Sequence, residues 1–398
     1  MARLWHTGFE INSSNTGVEF DSSTGSPSIS STNFRSGAFA GRVSSLSSGA
    51  AKAWRQNFLS ANGDGAFFFR FYFRVDTYPS AENRIFVLAD SAAFDTSTPK
   101  VYITVDSAGL LRLYDEDGVI GSPSAALVND GTWYRVELKF DRTLSAGSHV
   151  VEALIDGVSF ASASNRNIAA GIQGINIGGN LGLEAQTTGD WYFDDVAIND
   201  STGSFENSYP GSGKIIRLFP TAAGDSNQWL KTAGGAGDSS NYQLVDEVIP
   251  NDATDFVQSS NLNDVDMYNV TNSGIGSSDT VKLVSLGARF RNDVADATTS
   301  FRVRIEKTSG GTISESASIV PNSTSWLTNS IAVPKNLHLL SYQDPDGASW
   351  LQSTIDSMQI GLKLILLGVN KVQVSTLIAM IEYTPAPPSG FVPKIISI

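Results

Sequence analysis

The stretch Gly189-Asp190-Trp191-Tyr192-Phe193-Asp194-Asp195-Val196-Ala197-Ile198 constrains this chain more than any other. Aromatic and β-branched residues alternate there with polar ones at period two, the signature of a strand. The alternation sets Tyr192, Asp194, Val196 and Ile198 on one face and Trp191, Phe193, Asp195 and Ala197 on the other. One carboxylate therefore faces whichever side is buried, and a buried carboxylate takes a cation or a proton. The pattern favours Asp194 as the inward one. A further acid stands near the start of the chain, in Trp5-His6-Thr7-Gly8-Phe9-Glu10. A first strand returning beside a last one would bring Glu10 towards Asp194 and Asp195.

The same periodicity recurs along the chain. Phe69, Phe71, Phe73 and Val75 fall on one face of a strand, with Arg70, Tyr72 and Arg74 on the other. Within Trp133 to Asp141, the residues Tyr134, Val136, Leu138 and Phe140 point inward. Asp115-Glu116-Asp117-Gly118 turns a hairpin between Leu110–Tyr114 and Val119-Ile120. A second series contains Val281–Phe290, Phe301–Ile305, Ile360–Leu366 and Val372–Tyr383, and a slip of apolar phase at Leu283 and Val284 predicts a bulge. Ala348–Met358 is the one stretch that reads as a short helix. Regular strands and turns of this kind predict an all-β protein of two tandem β-sandwich domains of jelly-roll type. Residues 206–213, of Ser, Gly and Pro character, read as a linker between residues 1–205 and 214–385. Residues 386–398 read as a short extended C-terminal arm, either disordered or a hook for a neighbouring subunit.

Composition narrows the chemistry. The 398 residues contain no cysteine, which removes disulfides and thiolate sites. Charged residues make up 17% with a net charge of −13, a poor match to a phosphate backbone, so no nucleic-acid partner is expected. No apolar run reaches membrane-spanning length, and the N-terminus shows no signal core; insertion into a membrane is not expected. His6, His149 and His338 lie in none of the spacings that zinc or serine hydrolase chemistry uses. Ala233-Gly234-Gly235-Ala236-Gly237 precedes Asp238 where a phosphate loop has a lysine, so it reads as a plain loop. Glu137 and Asp141 are four apart with Lys139 between them and read as a solvated strand face. The acidic hairpin tip reads as a turn before it reads as a weak calcium loop.

Phe67-Phe68-Phe69-Arg70-Phe71-Tyr72-Phe73, Gly131-Thr132-Trp133-Tyr134-Arg135-Val136-Glu137 and Trp191-Tyr192-Phe193-Asp194-Asp195-Val196 together resemble the concanavalin A-like jelly roll of lectins, laminin-G-type domains and laminarinase-type enzymes. Gly8-Phe9-Glu10 with Asp194-Asp195-Val196 is similar to a group of carbohydrate-binding modules in which an early Glu and a late Asp bind calcium. The resemblance implies a structural calcium at Glu10 with Asp194 or Asp195, completed by backbone carbonyls near Arg42 to reach roughly six to eight oxygens. A plain hydrogen-bonded or solvated pair is the competing account. The Glu-x-Asp-x-x-Glu strand of a laminarinase-type enzyme is missing, so no catalytic residues and no enzymatic activity are expected. Trp54, Trp229, Trp326 and Trp350 lie in or beside polar stretches and are candidates for stacking on sugar rings, against the simpler account that each plugs a sandwich. The second half is similar in style to β-sandwiches of tailed-phage structural proteins. That likeness implies a virion protein made in the host cytoplasm, decorating a capsid or forming a tail or fibre appendage. Its partners would be other virion proteins, further copies of itself and a cell-surface glycan. A carbohydrate-binding or polysaccharide-degrading bacterial protein is the alternative.

Overall fold

The computed structural model describes every residue except 1, 15–16, 91–98, 183, 186–187, 233–237, 329–336, 367, 369 and 388–398. The loop Ala233–Gly237 and the arm from residue 388 onward therefore lie outside the described residues. The rest is all-β, in two sandwiches.

The first sandwich opposes an eight-stranded sheet to a seven-stranded one. The larger sheet runs Val158–Arg166, His149–Ile155, Tyr134–Asp141, Ala66–Thr77, Asp190–Asp200, Ala40–Ser44 and Ser28–Ser30, with Arg3–Thr7 also paired to Asp190–Asp200. The smaller runs Gly118–Ile120, Leu111–Asp115, Val101–Val105, Asn83–Ala89, Gly174–Gly179, Lys52–Asn57 and Ser22–Thr24. Phe69, Phe71, Phe73 and Val75 are buried between them, as the alternation predicts. Phe71 stacks on Phe86 at 4.8 Å and Phe73 meets Phe193 at 5.2 Å. Each such ring contributes about 2–3 kcal/mol on burial, and with no disulfide available these contacts hold the sheets together.

The second sandwich opposes a six-stranded sheet to a five-stranded one. The six-stranded sheet runs Leu230–Lys231, Val257–Ser259, Val372–Thr384, Thr280–Asn292 and Leu339–Ser341, with Lys214–Leu218 also paired to Val372–Thr384. The other runs Pro220–Asn227, Val265–Val270, Gln359–Leu366, Ser300–Glu306 and Ile313–Glu315. Pairing in Thr280–Asn292 slips between Val281 and Leu283, beside the position where the apolar phase breaks, and again between Arg289 and Phe290. The short helix is Gln352–Ser357.

The segment 206–213 differs from the free linker its composition suggests. It is a strap pinned to the first sandwich. Tyr209 Oη donates to Glu152 at 2.9 Å, and Gly211 N donates to Glu137 at 2.7 Å. Glu137 is therefore buried beneath the strap rather than solvated. Beside it the two sandwiches share a buried ionic knot. Glu382, on the last strand, has no exposure and accepts from Arg3 Nη1 and from Arg70 Nη1, the latter at 2.7 Å. Arg3 also pairs with Glu206 at 3.1 Å, and Lys282 stands 3.7 Å from Glu206. Burial alone would raise the Glu382 carboxyl, but Arg3 and Arg70 outweigh it and hold it well below the usual range. His6, buried and held below its ordinary value by that burial, is neutral. Its Nδ1 lies 3.4 Å from Arg3 Nη1 and 3.8 Å from Glu382 Oε2, and its Nε2 hydrogen-bonds Ser285 Oγ at 2.7 Å.

Removing one member of such a knot leaves uncompensated buried charge. Glu382→Gln is expected to destabilise the full chain by about 3–5 kcal/mol, measured by urea unfolding; a loss under 1 kcal/mol would show that the knot is not holding the sandwiches together.

Candidate functional site

The strand Asp190–Asp200 changes partners halfway. On one side it pairs throughout with Ala66–Thr77; on the other, Asp190 to Phe193 pair with Ala40–Ser44 and Val196 to Asn199 pair with Arg3–Thr7. Between these partners the register slips, and Asp195 takes a positive φ of 47°. A β-bulge inserts one residue and so inverts the alternation beyond it. That explains why Trp191 and Phe193 belong to the core before it, and Val196 and Ile198 after it. The inward Asp194 expected from strict alternation is thus corrected: both aspartates turn to the outer side.

There they meet the loop 35–39. Asp194 Oδ2 accepts from the N–H groups of Arg35 at 2.7 Å and Ser36 at 3.3 Å. Glu10 accepts from Ala38 N at 3.0 Å and Phe39 N at 3.2 Å. Gly37 has a φ of 62°, and a Cβ there would collide with the Glu10 carboxylate, so only glycine fits. Asp195 pairs with the Arg35 guanidinium and accepts from Ile215 N at 2.6 Å, which ties the first strand of the second sandwich to the bulge. The sequence candidates Glu10, Asp194 and Asp195 are therefore brought together on one loop.

Charge is unevenly compensated at this junction. Asp195 has Arg35. Glu10 and Asp194 have only peptide N–H donors among the described residues. Burial pushes Glu10 up to about 8, against the pull of the Ala38 and Phe39 amides. Burial together with the Asp195 charge pushes Asp194 well above the usual carboxylate range. Burial raises neighbouring Glu19 to about 7. Calcium takes hard oxygen donors. The buried carboxylates of Glu10 and Asp194, which no cation pairs with directly among the described residues, fit such an ion in kind, although no group of three or more His, Cys, Asp or Glu is arranged around a metal position among the described residues.

Three of the four tryptophan candidates are corrected. Trp54, Trp229 and Trp350 are 1%, 0% and 3% exposed. Trp54 packs against Phe9 at 5.2 Å and Phe20 at 5.7 Å, under the bulge. Trp229 lies against Phe301 and donates its indole N–H to Asp264 O, while Trp350 donates to Ser341 O. No sugar ring can reach them. Trp326 is half-buried. The acidic hairpin tip is neutralised within the chain, since Asp115 pairs with Arg166 and Glu116 with Lys100.

A surface beyond the sequence candidates lies on the outer face of the larger sheet of the first sandwich. Register sets Arg42, Tyr192 and Arg74 side by side on three neighbouring strands. Trp133 comes next, one step beyond the Tyr134–Phe73 pair. Arg42 forks onto Asp190 at 2.9 and 2.6 Å, and Arg74 onto Asp76 at 2.7 and 3.0 Å. Both guanidinium groups lie over the buried Tyr192 ring, at 5.5 and 5.4 Å. Half-buried Trp133 meets that ring edge-on at 6.5 Å. The result is a paved row of planar groups whose rotamers are fixed by bidentate pairs. Its signal was present in the sequence, because the alternation that points Tyr134 inward points Trp133 outward.

No protein-family model matches the chain, and no curated protein sequence matches it. Among solved structures, the cellulose induced protein Cip1 is similar over 52% of this chain and 99% of its own, at 16% identity and a TM-score of 0.38. Trypanosoma rangeli sialidase is similar over 47% of this chain and 29% of its own, at 13% identity and 0.32. The marine PL-14 alginate lyase from Aplysia kurodai is similar over 45% and 91%, at 12% identity and 0.32. This chain thus spans under a third of the sialidase. Likenesses of this size carry no argument about the site, and the sandwich architecture rests on the sheets described above.

The raised carboxyls fix the sign of a pH effect. A carboxyl whose folded value is raised favours the fold while protonated, so its contribution is lost as pH climbs from about 4.5 towards about 8. Glu382, held low, acts oppositely and weakens the fold only in acid. The melting temperature is expected to fall between pH 6 and pH 9, and Glu10→Gln to flatten that fall. Millimolar calcium at pH 8 is expected to restore the wild-type value but not that of Glu10→Gln. A flat wild-type profile would contradict the charge assignment, and indifference to both calcium and chelator would remove the metal.

Proposed function

We propose that this chain is a non-enzymatic carbohydrate-adhesion module, with the row Arg42–Tyr192–Arg74–Trp133 as its sugar-binding face. The observation that supports this reading is the paving itself. Sugar rings present apolar C–H faces and vicinal hydroxyls, which suit an aromatic plane set beside fixed forks of donors and acceptors. Both arginines are already neutralised by aspartates, so the ligand is a neutral glycan rather than an anion. Because the pairs are formed before binding, little side-chain entropy is lost when the ligand arrives. Calcium at Glu10 and Asp194 would hold the loop 35–39 and hence the neighbouring strand Ala40–Ser44, which carries Arg42. Its role is structural.

Trp133→Ala is expected to weaken binding to neutral polysaccharides, screened on a glycan array with the full chain, by about tenfold or more. Retention of every ligand by the variant, or of none by the wild type, would overturn the proposal.

A second reading is favoured by one feature, the weld between the sandwiches. Buried charge, the pinned strap and the contact of Ile215 with Asp195 suit a component that bears load in an assembly, such as a surface protein of a tailed-phage virion on capsid or tail. On this reading the adhesion face is carried to the host by the particle, and other virion proteins or further copies of the chain are its partners. Peptide mass spectrometry of density-banded particles from the source culture is expected to recover the chain in stoichiometric amount. Its absence from intact particles would sink the reading.

A further inference from the structure

On the second sandwich, one arginine breaks the rule the rest obey. Among the described residues, every other arginine that reaches solvent is paired with a carboxylate, and Arg3, Arg55, Arg70 and Arg217 are buried. Arg291 is half-buried and has no acidic partner among the described residues, although the chain carries a net charge of −13. It is nevertheless held in place. Its Nε donates to Gln373 Oε1 at 2.6 Å, and its guanidinium lies 4.5 Å from the Trp326 ring and 5.7 Å from Phe256. Gln373 is itself fixed, donating to Gln258 Oε1 at 3.1 Å. Among the described residues, neither Nη group of Arg291 has a hydrogen-bond partner.

The backbone explains the grouping. Register aligns Gln258, Gln373 and Arg291 across three strands of the six-stranded sheet. The bridge from Phe290 to Leu327 brings Trp326 alongside Arg291. Phe290, Val374 and Val257 enter the core, so the intervening Arg291 and Gln373 stand on the outer face. The same face carries Ile378, Met380 and Glu382 into the contact with the first sandwich. At the edge of that contact Arg289 binds Asp252 and Gly17 O, and Thr328 Oγ1 donates to Gly17 O and Val18 O.

We propose that Trp326, Arg291 and Gln373 form a subsite for a carboxylated sugar residue, a uronic or nonulosonic acid. The two Nη groups form a fork of the kind that takes a carboxylate through two hydrogen bonds. The indole offers a plane for the pyranose ring, and the buried Gln373 amide fixes the guanidinium that faces it. An inorganic anion would have no use for the ring plane, and a neutral sugar would leave the guanidinium without a counter-charge. This site is on a different domain from the Trp133 row and does not depend on it.

The test titrates the full chain with tri-galacturonic acid, a hyaluronan tetrasaccharide and N-acetylneuraminic acid, each beside its carboxyl-reduced counterpart, with sodium acetate as a further probe. At least one acidic sugar is expected to bind. Arg291→Gln and Trp326→Ala, checked for wild-type melting, should each weaken it by about tenfold or more. Arg291→Lys, which keeps the charge but loses the fork, should also weaken it. Trp133→Ala should leave it unchanged, which separates this site from the face on the first sandwich. The proposal is overturned if no acidic sugar binds the wild type, if the carboxyl-reduced sugars bind equally well, if acetate competes as strongly as the sugar, or if Arg291→Gln binds normally.

Discussion

The bulge at Asp194 and Asp195 is the constraint on which the first sandwich and its junction both depend. A strand that pairs with Ala40–Ser44 over one half and Arg3–Thr7 over the other must leave a gap between them. The ends of both partners terminate in that gap, as the loop 35–39 and the turn ending at Glu10, and their peptide N–H groups would be orphaned there. Asp194 and Glu10 satisfy those of the loop, and Thr7 Oγ1 takes the Phe9 N–H of the turn. Holding a non-glycine residue at a positive φ costs about 1–3 kcal/mol, and the hydrogen bonds made by Asp195 to Ile215 and Ser36 offset it. The same inserted residue turns the apolar phase, so core packing and loop anchoring follow from a single backbone event.

Charge then decides how the second sandwich sits. A chain this acidic cannot bury carboxylates freely, and it handles them in two ways. At Glu382 the acid is outnumbered by Arg3, Arg70 and Lys282 and remains ionised. At Glu10 and Asp194 no cation is directly paired among the described residues, and the acids are held mainly by peptide dipoles instead. The first arrangement stabilises the junction at neutral pH; the second is stable when protonated or when a metal supplies the missing charge. Leu337 enters the core of the first sandwich from the second half of the chain, and Tyr342 Oη accepts from Arg3 N at 2.8 Å. The two sandwiches are thus joined through core, charge and backbone together.

Period-two alternation made the interior of both sandwiches legible, since it needs only the strand's own geometry. Phe69 to Val75 and Tyr134 to Phe140 face inward as read. The return of a first strand beside the last, with the likeness to carbohydrate-binding modules, placed Glu10 near Asp194 and Asp195, but neither showed the bulge, because the Asp-Asp pair does not by itself announce a positive φ. Alternation reveals which face a residue takes, not what covers that face. Arg70 and Glu137 point outward as read, yet one lies under the second sandwich and the other under the strap. For Trp54, Trp229 and Trp350 the account in which each plugs a sandwich is the one the structure bears out: polar flanking residues made them sugar candidates, but the indole rings run inward. Trp133 and Arg291 were passed over because their importance comes from cross-strand partners, and register between distant strands is not written in local sequence.

The two outer-face rows use one device with opposite electrostatic outcomes. In each, cross-strand register sets guanidinium groups beside an aromatic ring, and hydrogen bonds fix them before any ligand arrives. On the first sandwich Asp190 and Asp76 neutralise the arginines, so the row offers planes and paired donors with little net field. On the second sandwich Gln373 stands where an acid would be, and an amide fixes Arg291 without neutralising it. In a protein of net charge −13 the long-range field opposes an anionic ligand. Screening confines that field to roughly 8 Å at physiological salt. Recognition of an acid at Arg291 must therefore come from contact geometry rather than steering. That is the situation in which replacing a carboxylate by an amide beside one arginine can change the class of ligand without altering the fold.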